Sequence, residues 1–131
     1  MPGETDLATM LASLDVERRP GRFVFVTGDH PALRETAAAM IQELEGITLV
    51  VTVDEARAFG IDVELELAWL TLTVFSALEA VGLTAAFSAA LAAAGIACNV
   101  LAGYHHDHLL VPVDRADEAI AVLRALTVSW S

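Results

Sequence analysis

The sequence predicts an α+β protein with a ferredoxin-like fold, in which antiparallel sheets carry helices on one face. From about residue 66 onward, the predicted elements follow the order strand, helix, strand, strand, helix, strand, which is the split βαβ arrangement. The first half offers strand, helix, strand and short helix, which resembles a degraded copy of that order. The length of 131 residues, 56% of them hydrophobic, suits one compact domain or two small lobes. We therefore expect an N-terminal lobe over residues 1–65 and a C-terminal lobe over residues 66–131.

The first half is predicted to contain three helices and two strands. Apolar residues recur at i, i+3, i+4 and i+7 in the first helix, and a proline near the first helical position begins the second. A continuous apolar run without polar interruptions is typical of a strand buried on both faces. In chain order, the predicted elements are helix Thr5–Leu14, strand Arg22–Thr27 after a linker ending at Pro20-Gly21, helix Pro31–Leu44 stopped by Gly46, strand Ile47–Val53, and a short helix that Asp54 caps and that ends at Gly60.

The second half is predicted to begin with one long strand, because apolar residues alternate with Glu64 and Glu66 and the run then continues. Glycines are expected to bound the first helix, and an aspartate to cap the last one. In chain order, the predicted elements are a strand over residues 63–75, a helix from Gly82 to Gly95, strand Ile96–Ala102, a turn at Gly103–Asp107, strand His108–Val113, a helix capped by Asp114, and a short edge strand at Thr127–Ser131.

The charge balance excludes several classes of function. Eighteen acidic residues face seven basic ones, all arginine, which gives a formal net charge of −11. Nucleic-acid and anionic-membrane surfaces need clustered basic residues, and the strongest basic pair is Arg18-Arg19. The sequence therefore predicts neither a nucleic-acid partner nor a membrane partner.

A nearly uncharged stretch from Leu67 to Tyr104 raises the alternative of a membrane-spanning helix. Gly95 would interrupt such a helix, Asn99 would lie unpaired in lipid, and the residues after Gly95 alternate with a strand period. The N-terminus lacks the basic start of a signal peptide, and the single cysteine, Cys98, excludes a disulfide within the chain. We therefore expect a folded, cytoplasmic protein.

The densest polar cluster comprises His105, His106, Asp107 and His108. Imidazoles and a carboxylate are good zinc ligands, so a metal-dependent enzyme is one hypothesis. Adjacent histidines on a hairpin point to opposite sides, however, which favours a solvated turn or a polar wall for a ligand. No other pattern demands catalysis, because no serine has a nucleophile-elbow motif and the pair Glu64 and Glu66 fits a solvent-facing side of a strand.

The turn from Ser76 to Thr84 joins a strand end to a helix start. Helix N-termini leave free N–H donors and partial positive charge, and Gly82 would let a ligand approach the backbone closely. A carboxylate is the natural guest of such a turn, whereas ordinary capping without a ligand is the alternative.

Five segments resemble the small bacterial ACT-domain proteins, which are related to the ACT lobes of aspartokinases and to the CASTOR-type arginine sensors. The segments are Leu70–Val74, Leu78–Ser88 and Gly95–Pro112 in the second half, and Phe23–Thr27 and Glu45–Val50 in the first. The resemblance implies two ACT-like lobes and a non-catalytic, amino-acid-binding sensor or regulatory role without a cofactor. It also implies a homodimer, with the ligand held at a lobe or subunit interface. A different class of function is the alternative, namely a structural interaction module that binds no ligand.

The resemblance places the ligand where the strand–helix turn of one lobe meets a strand of a neighbour. Turn N–H groups would hold the carboxylate of an amino acid or a similar small carboxylate, and Asp107 would accept from its ammonium group. The ligand-binding residues implied in this way are Ser76, Glu79, Ala80, Val81, Gly82, Leu83, Thr84, Asn99, Val100, His106 and Asp107.

Overall fold

The computed structural model describes residues 6–12, 14–73 and 81–130, with side chains throughout these ranges except at residues 11, 12 and 127–130. The chain divides into two compact units. The central unit is Pro20–Leu67, and the terminal unit combines the chain before Pro20 with the chain after Leu67. The predicted lobe boundary at residues 65/66 stays a prediction.

The helices and strands follow each other in two rounds of the same order. After a first helix, a β-α-β-β-α series occurs in β1 to α3 and again in β4 to α5. Their bounds are α1 Leu7–Ala12, β1 Val16–Thr27, α2 Pro31–Thr36, β2 Ala39–Glu43, β3 Gly46–Thr52, α3 Val53–Ala58, β4 Leu67–Leu72, α4 Leu83–Ala93, β5 Asn99–Ala102, β6 Asp107–Pro112, a 3₁₀ turn Val113–Arg115, and α5 Ala116–Trp130. This repeated order confirms the predicted α+β, ferredoxin-like fold.

In the central unit, the strands lie in the order β2-β3-β1 and both pairings are antiparallel. The register places Phe25 opposite Val50, and Val50 opposite Ala39. Alternate strand residues on one face pack with the two helices, because a strand presents every second side chain to the same side. The buried cluster comprises Val24, Val26, Leu33, Leu49, Val51, Val53 and Ala56.

Helix α3 begins with a reciprocal capping arrangement. The Thr52 hydroxyl accepts a hydrogen bond from the Glu55 N–H at 3.1 Å, and the Glu55 carboxylate accepts from the Thr52 N–H at 3.2 Å. The predicted cap at Asp54 is wrong, since Asp54 lies in the first turn of the helix. The pattern Thr-x-x-Glu before an amphipathic segment was the sequence signal for the observed cap.

In the terminal unit, the strands lie in the order β4-β6-β5, and the beginning of β1 lies next to β4. The Thr73 N–H donates to the Asp15 carbonyl at 2.9 Å, just beyond the ends of these two strands. Helices α1, α4 and α5 cover one face of the strands, whose inward residues alternate. The fully buried side chains of this core include Met10, Leu70, Leu72, Phe87, Leu91, Leu109 and Leu123. No helix in the described ranges is long and apolar enough to cross a membrane.

The predicted helix Pro31–Leu44 is wrong beyond Thr36. The chain leaves the helix at Ala37 and forms β2, which pairs with β3 through a turn at residues 44–45. A helix continuing to Leu44 would bury that side chain on the apolar face, whereas Leu44 is fully exposed at the turn. The alanine-rich segment satisfies either period, so tertiary pairing with β3 decides its structure.

Several other predicted strand boundaries differ from the observed ones. Strand β1 begins at Val16 rather than Arg22, because Gly21 has a φ of +97° that allows the strand to continue past Pro20. The strand predicted over 63–75 is confined to β4, since residues 61–66 have no regular structure and residues 74 and 75 lie outside the described ranges. The predicted edge strand at Thr127–Ser131 is wrong, because α5 continues to Trp130.

The remaining predictions in the second half differ by a few residues. The first helix begins at Leu83 after Gly82, as expected, and ends before Gly95, which has a φ of +72°. The strand predicted over Ile96–Ala102 begins only at Asn99. A 3₁₀ turn containing Asp114 precedes α5, so Asp114 does not cap this helix directly.

Candidate functional site

The main chain at the start of α4 has no side-chain cap among the described residues. Gly82 is the N-cap residue, has a φ of +103°, and offers no side chain to cap the helix. A Cβ atom at Gly82 would lie 2.9 Å from Leu7 Cδ2, so α1 packs directly against this turn. The first turn of α4 also contains no acidic residue. Its N–H donors and partial positive charge therefore face no compensating side chain among the described residues.

The predicted ligand-binding turn is only partly described. Ser76, Glu79 and Ala80 lie outside the described residues. Val81 is 81% exposed and Thr84 is exposed, so both line the surface at the start of α4. Leu83 is buried in the core of the terminal unit, so it can offer a ligand its main-chain N–H but not its side chain.

The predicted polar hairpin is formed by β5 and β6. Val100 pairs with Leu109 and Ala102 with Asp107 in an antiparallel register. The Gly103 N–H donates to the His106 carbonyl at 2.9 Å and closes the turn. Asn99 and Val100 are exposed on β5, which is the last strand of the order in this unit. These two residues therefore lie on an accessible strand edge, as a ligand-binding or pairing role requires.

Asp107 is a half-buried carboxyl group at the start of β6. Burial raises its pKa above the ordinary value, because low-dielectric surroundings disfavour the charged form. The neighbouring His108 and His106 act in the opposite direction. The ionised group would therefore gain from a cationic partner, which an ammonium group can provide.

A cluster of three side chains on β4 and β6 was missed from the sequence. Trp69 Nε1 lies 3.2 Å from both Thr71 Oγ1 and His108 Nδ1, and Thr71 Oγ1 lies 2.9 Å from His108 Nδ1. The Arg19 guanidinium lies over the indole ring, with its Cζ 4.9 Å from the ring centroid. Residues 69 and 71 share one face of a strand, and this alternation was the available signal. We call Trp69, Thr71 and His108 the indole–imidazole cluster.

The histidines of the hairpin do not gather around one point. The ring centroids of His105 and His106 are 6.4 Å apart, and those of His106 and His108 are 6.5 Å apart. Within the described ranges, no three His, Cys, Asp or Glu side chains are placed to hold a metal ion. The geometry therefore gives no support to the hypothesis of a histidine-based metal site.

The two glutamates considered as a carboxylate pair have separate environments in the central unit. Glu66 forms ion pairs with Arg22 at 2.5 Å and with Arg57 at 3.5 Å. Glu64 instead lines an open cavity of about 260 Å³ together with Phe25 and Leu65. The arrangement is that of a surface ion-pair network beside a shallow groove.

Two successive β-α-β-β-α series, each with helices on one face of antiparallel strands, define a tandem ferredoxin-like protein. The chain belongs to the ACT-domain family. One ACT-domain family model matches residues 2–68, and a second ACT-domain model matches residues 64–125. The predicted resemblance to tandem ACT-domain proteins is therefore confirmed.

The chain is similar to several solved structures. A Vibrio cholerae protein described as VC0802, of unknown function and a possible transport protein, is 39% identical, with 88% of this chain and 92% of that chain covered and a TM-score of 0.79. The ligand-free regulatory subunit of aspartate kinase from Thermus thermophilus is 15% identical, with coverage of 85% and 95% and a TM-score of 0.62. Protein Atu0741 from Agobacterium tumefaciens is 14% identical, with coverage of 87% and 89% and a TM-score of 0.62. The last two show likeness of fold alone, and a search of curated protein sequences finds no match.

Proposed function

We propose that this chain is a non-catalytic regulatory protein of the cytoplasm that binds an amino acid or a similar small carboxylate. The observation that carries the proposal is the pair of ACT-domain matches, which together extend over residues 2–125. The fold shared with a regulatory subunit of aspartate kinase supports a regulatory rather than a catalytic role. The two ACT-like lobes are proposed to act together in this role.

The start of α4 is proposed to bind the carboxylate of the ligand. Its first N–H groups have no side-chain cap among the described residues, and the exposed Val81 and Thr84 lie beside them. An anion at this position is stabilised by N–H donors and by the helix dipole, which contributes about 0.3–1 kcal/mol at exposed sites. Residues 76 and 79–84 would form the turn around this group.

Asp107 is proposed to bind the ammonium group of the ligand, with His106 beside it. A charge-assisted hydrogen bond would compensate the burial that now disfavours the ionised carboxyl group. The exposed residues Asn99 and Val100 lie on β5, which has a neighbouring strand on one side only among the described residues, and such an edge suits pairing with a second copy. We therefore propose that the protein is a homodimer and that the ligand lies at a subunit interface.

A thermal-shift panel of the twenty amino acids tests the binding proposal. A ligand present at a hundred times its Kd adds about 2.7 kcal/mol to the free energy of unfolding. For a chain of this length, that corresponds to a rise in Tm of about 10 °C. We expect one amino acid, or a few of related structure, to produce such a rise. If no amino acid at millimolar concentration raises the Tm, the sensor role is wrong and a structural interaction module takes its place.

Asp107→Asn locates the ligand site. Because burial disfavours the charged form of Asp107, the uncharged variant should fold at neutral pH at least as well as the unaltered protein. It should nevertheless lose the ligand-dependent rise in Tm. Asp117→Asn is the matched control, since Asp117 is a fully exposed acid on α5 and should leave the rise unchanged. A full rise in Asp107→Asn would exclude Asp107 from the site.

Sedimentation velocity tests the homodimer. We expect a species of about 28 kDa, twice the chain mass of 13.9 kDa. Val100→Glu would place a like charge on each of two paired β5 edges, so it should shift the protein to the monomer. A monomer at tens of micromolar without any substitution would contradict the proposal.

A further inference from the structure

The hydrogen bond from Trp69 to His108 requires one protonation state of the histidine. Trp69 is buried, with 4% of its surface exposed, and its indole N–H can only donate a hydrogen bond. His108 Nδ1 lies within hydrogen-bond distance of both this N–H and the Thr71 hydroxyl. Nδ1 can accept from either group only when it carries no proton, so this hydrogen bond forms in the neutral ring that has its proton on Nε2.

The charges around His108 also oppose a second proton. Burial lowers the pKa of His108, and the nearby His106 and Arg19 lower it further, whereas Asp107 raises it. Strand β4 faces the ring with the uncharged Trp69 and Thr71. On β5, the residue opposite His108 is Leu101, which is also uncharged.

Protonation of His108 would change the hydrogen bonds of the cluster. A proton on Nδ1 turns this atom into a donor that faces the donor N–H of Trp69 across 3.2 Å. The indole N–H would then share Thr71 Oγ1 with the imidazolium, and the bond that joins β4 to β6 through Trp69 and His108 would be lost. The positive ring would also lie close to the guanidinium of Arg19, which stacks on the same indole.

The hairpin turn leaves little room for the ring to move aside. A Cβ atom at Gly103 would lie 3.0 Å from the His106 carbonyl oxygen and 3.2 Å from His108 Nε2, so the turn is packed against the imidazole. A ring that rotates away from Trp69 must therefore displace the turn. The change at His108 would in this way reach the whole of β5 and β6.

We propose that the indole–imidazole cluster is an acid-sensitive switch, in which proton uptake by His108 loosens the hairpin of β5 and β6 from β4. The neutral ring joins the two strands through Trp69 and Thr71. The protonated ring cannot accept from Trp69, and its remaining bond to β4 is the one that it donates to the Thr71 hydroxyl. This inference does not depend on the proposed amino-acid ligand, because the switch is made of the chain's own side chains.

The direction of the pH dependence follows from the lowered pKa. The unfolded chain takes up the proton near the ordinary histidine value of about 6.5, before the folded protein does. The stability contributed by the neutral cluster is therefore present above that value. It is lost as the pH falls from there through the pKa of the folded protein.

Nuclear magnetic resonance of the unaltered protein tests the switch directly. At pH 7.5, long-range ¹H–¹⁵N spectra should show His108 with its proton on Nε2. On acidification, the Trp69 indole N–H resonance should shift with the same midpoint as the His108 ring resonances, below pH 6.5. A proton on Nδ1 at pH 7.5, or an indole resonance that stays constant while His108 titrates, would overturn the proposal.

His108→Asn separates the switch from general acid sensitivity. The Asn amide oxygen can accept from Trp69 and does not titrate, so the acid-induced indole shift should disappear. Hydrogen-exchange protection of the β5 and β6 amides should fall at least tenfold below the midpoint in the unaltered protein and stay constant in this variant. The exposed His105→Gln is the matched control and should retain the full effect. Equal loss of protection in the unaltered protein and His108→Asn would show that His108 is not the switch.

Discussion

The capping arrangement at the start of α3 leads to a quantitative prediction for the central unit. The Thr52 hydroxyl accepts from the Glu55 N–H at 3.1 Å and donates to the Glu55 carboxylate at 2.9 Å. Thr52→Val keeps the branched shape of the side chain and removes both hydrogen bonds. It leaves only the bond from the Thr52 N–H to the Glu55 carboxylate.

The expected loss is about 1.5 kcal/mol in the free energy of unfolding. Removal of an N-cap side chain typically costs about 0.5–2 kcal/mol, and each net hydrogen bond contributes about 0.5–1.5 kcal/mol. The Tm should fall by about 6 °C for a chain of this length. Thr52→Ser retains the hydroxyl and should stay within about 0.5 kcal/mol of the unaltered protein, because Ser is as good an N-cap as Thr.

The loss of stability in Thr52→Val should depend on pH, because one of the same contacts involves the Glu55 carboxylate. The hydrogen bond from the Thr36 hydroxyl, followed by those from Thr52, holds the pKa of Glu55 below its ordinary value. A lowered carboxyl pKa stabilises the folded protein above the unfolded value, and this contribution is lost as the pH falls through the folded pKa. The difference between Thr52→Val and the unaltered protein should therefore be largest at neutral pH and shrink in acid.

Urea unfolding followed by circular dichroism measures all three proteins at neutral and acidic pH. Unfolding of Thr52→Val at the same urea concentration as the unaltered protein would show that the Thr52 side chain does not stabilise the helix start. A loss of stability in Thr52→Ser as large as that in Thr52→Val would show that the hydroxyl is not the stabilising group.

Three further predictions concern the terminal unit. Gly103→Ala should cost about 1–3 kcal/mol in urea unfolding, because its Cβ would lie 3.0 Å from the His106 carbonyl oxygen; unchanged stability would show that the hairpin turn can open to admit a methyl group. Phe87→Ala should cost about 3–5 kcal/mol in guanidinium unfolding, since Phe87 is fully buried between the helices and the strands, and a loss below 2 kcal/mol would contradict this packing. Arg115→Ala should lower the Tm by a few degrees, because the guanidinium donates to two carbonyls at the end of α4, including that of Gly95 at 3.3 Å. Arg115→Lys should not restore the loss, since a point charge cannot replace a planar fork of donors, and full recovery would refute that geometry.

Those parts of the fold that depend on local signals were predictable from the sequence. The glycines at positions 82 and 95 mark both ends of α4, and the apolar run after Gly46 identifies β3. Where two periods fit the same residues, local signals fail. The segment from Ala37 to Ile41 is compatible with a helix or a strand. Its own residues do not decide between the two, and its pairing with β3 does.

The candidate site, like the fold, was predictable from the sequence only where its signals are local. The start of α4 after Gly82 was predicted because a turn, a glycine and a helix start are neighbours in sequence. The indole–imidazole cluster was missed because it joins Trp69 to a histidine 39 residues away. The sequence of either strand alone does not determine the register between β4 and β6, so the contact between Trp69 and His108 could not be derived from periodicity.

The division of the chain into units constrains the order in which the protein can fold during synthesis. The central unit is one continuous segment, Pro20–Leu67, so all of its residues are synthesised before β4 is complete. The terminal unit contains an ion pair between Asp15 and Arg124, which are 109 residues apart and 2.9 Å from each other. The N-terminal part of this unit must therefore wait, with Met10 and Val16 still without most of their core partners, until α5 has been synthesised. A ribosome-bound chain that extends far enough beyond Leu67 to bring the central unit out of the exit tunnel, but that lacks α5, should have a protease-resistant central unit and an N-terminal segment that is still open to cleavage.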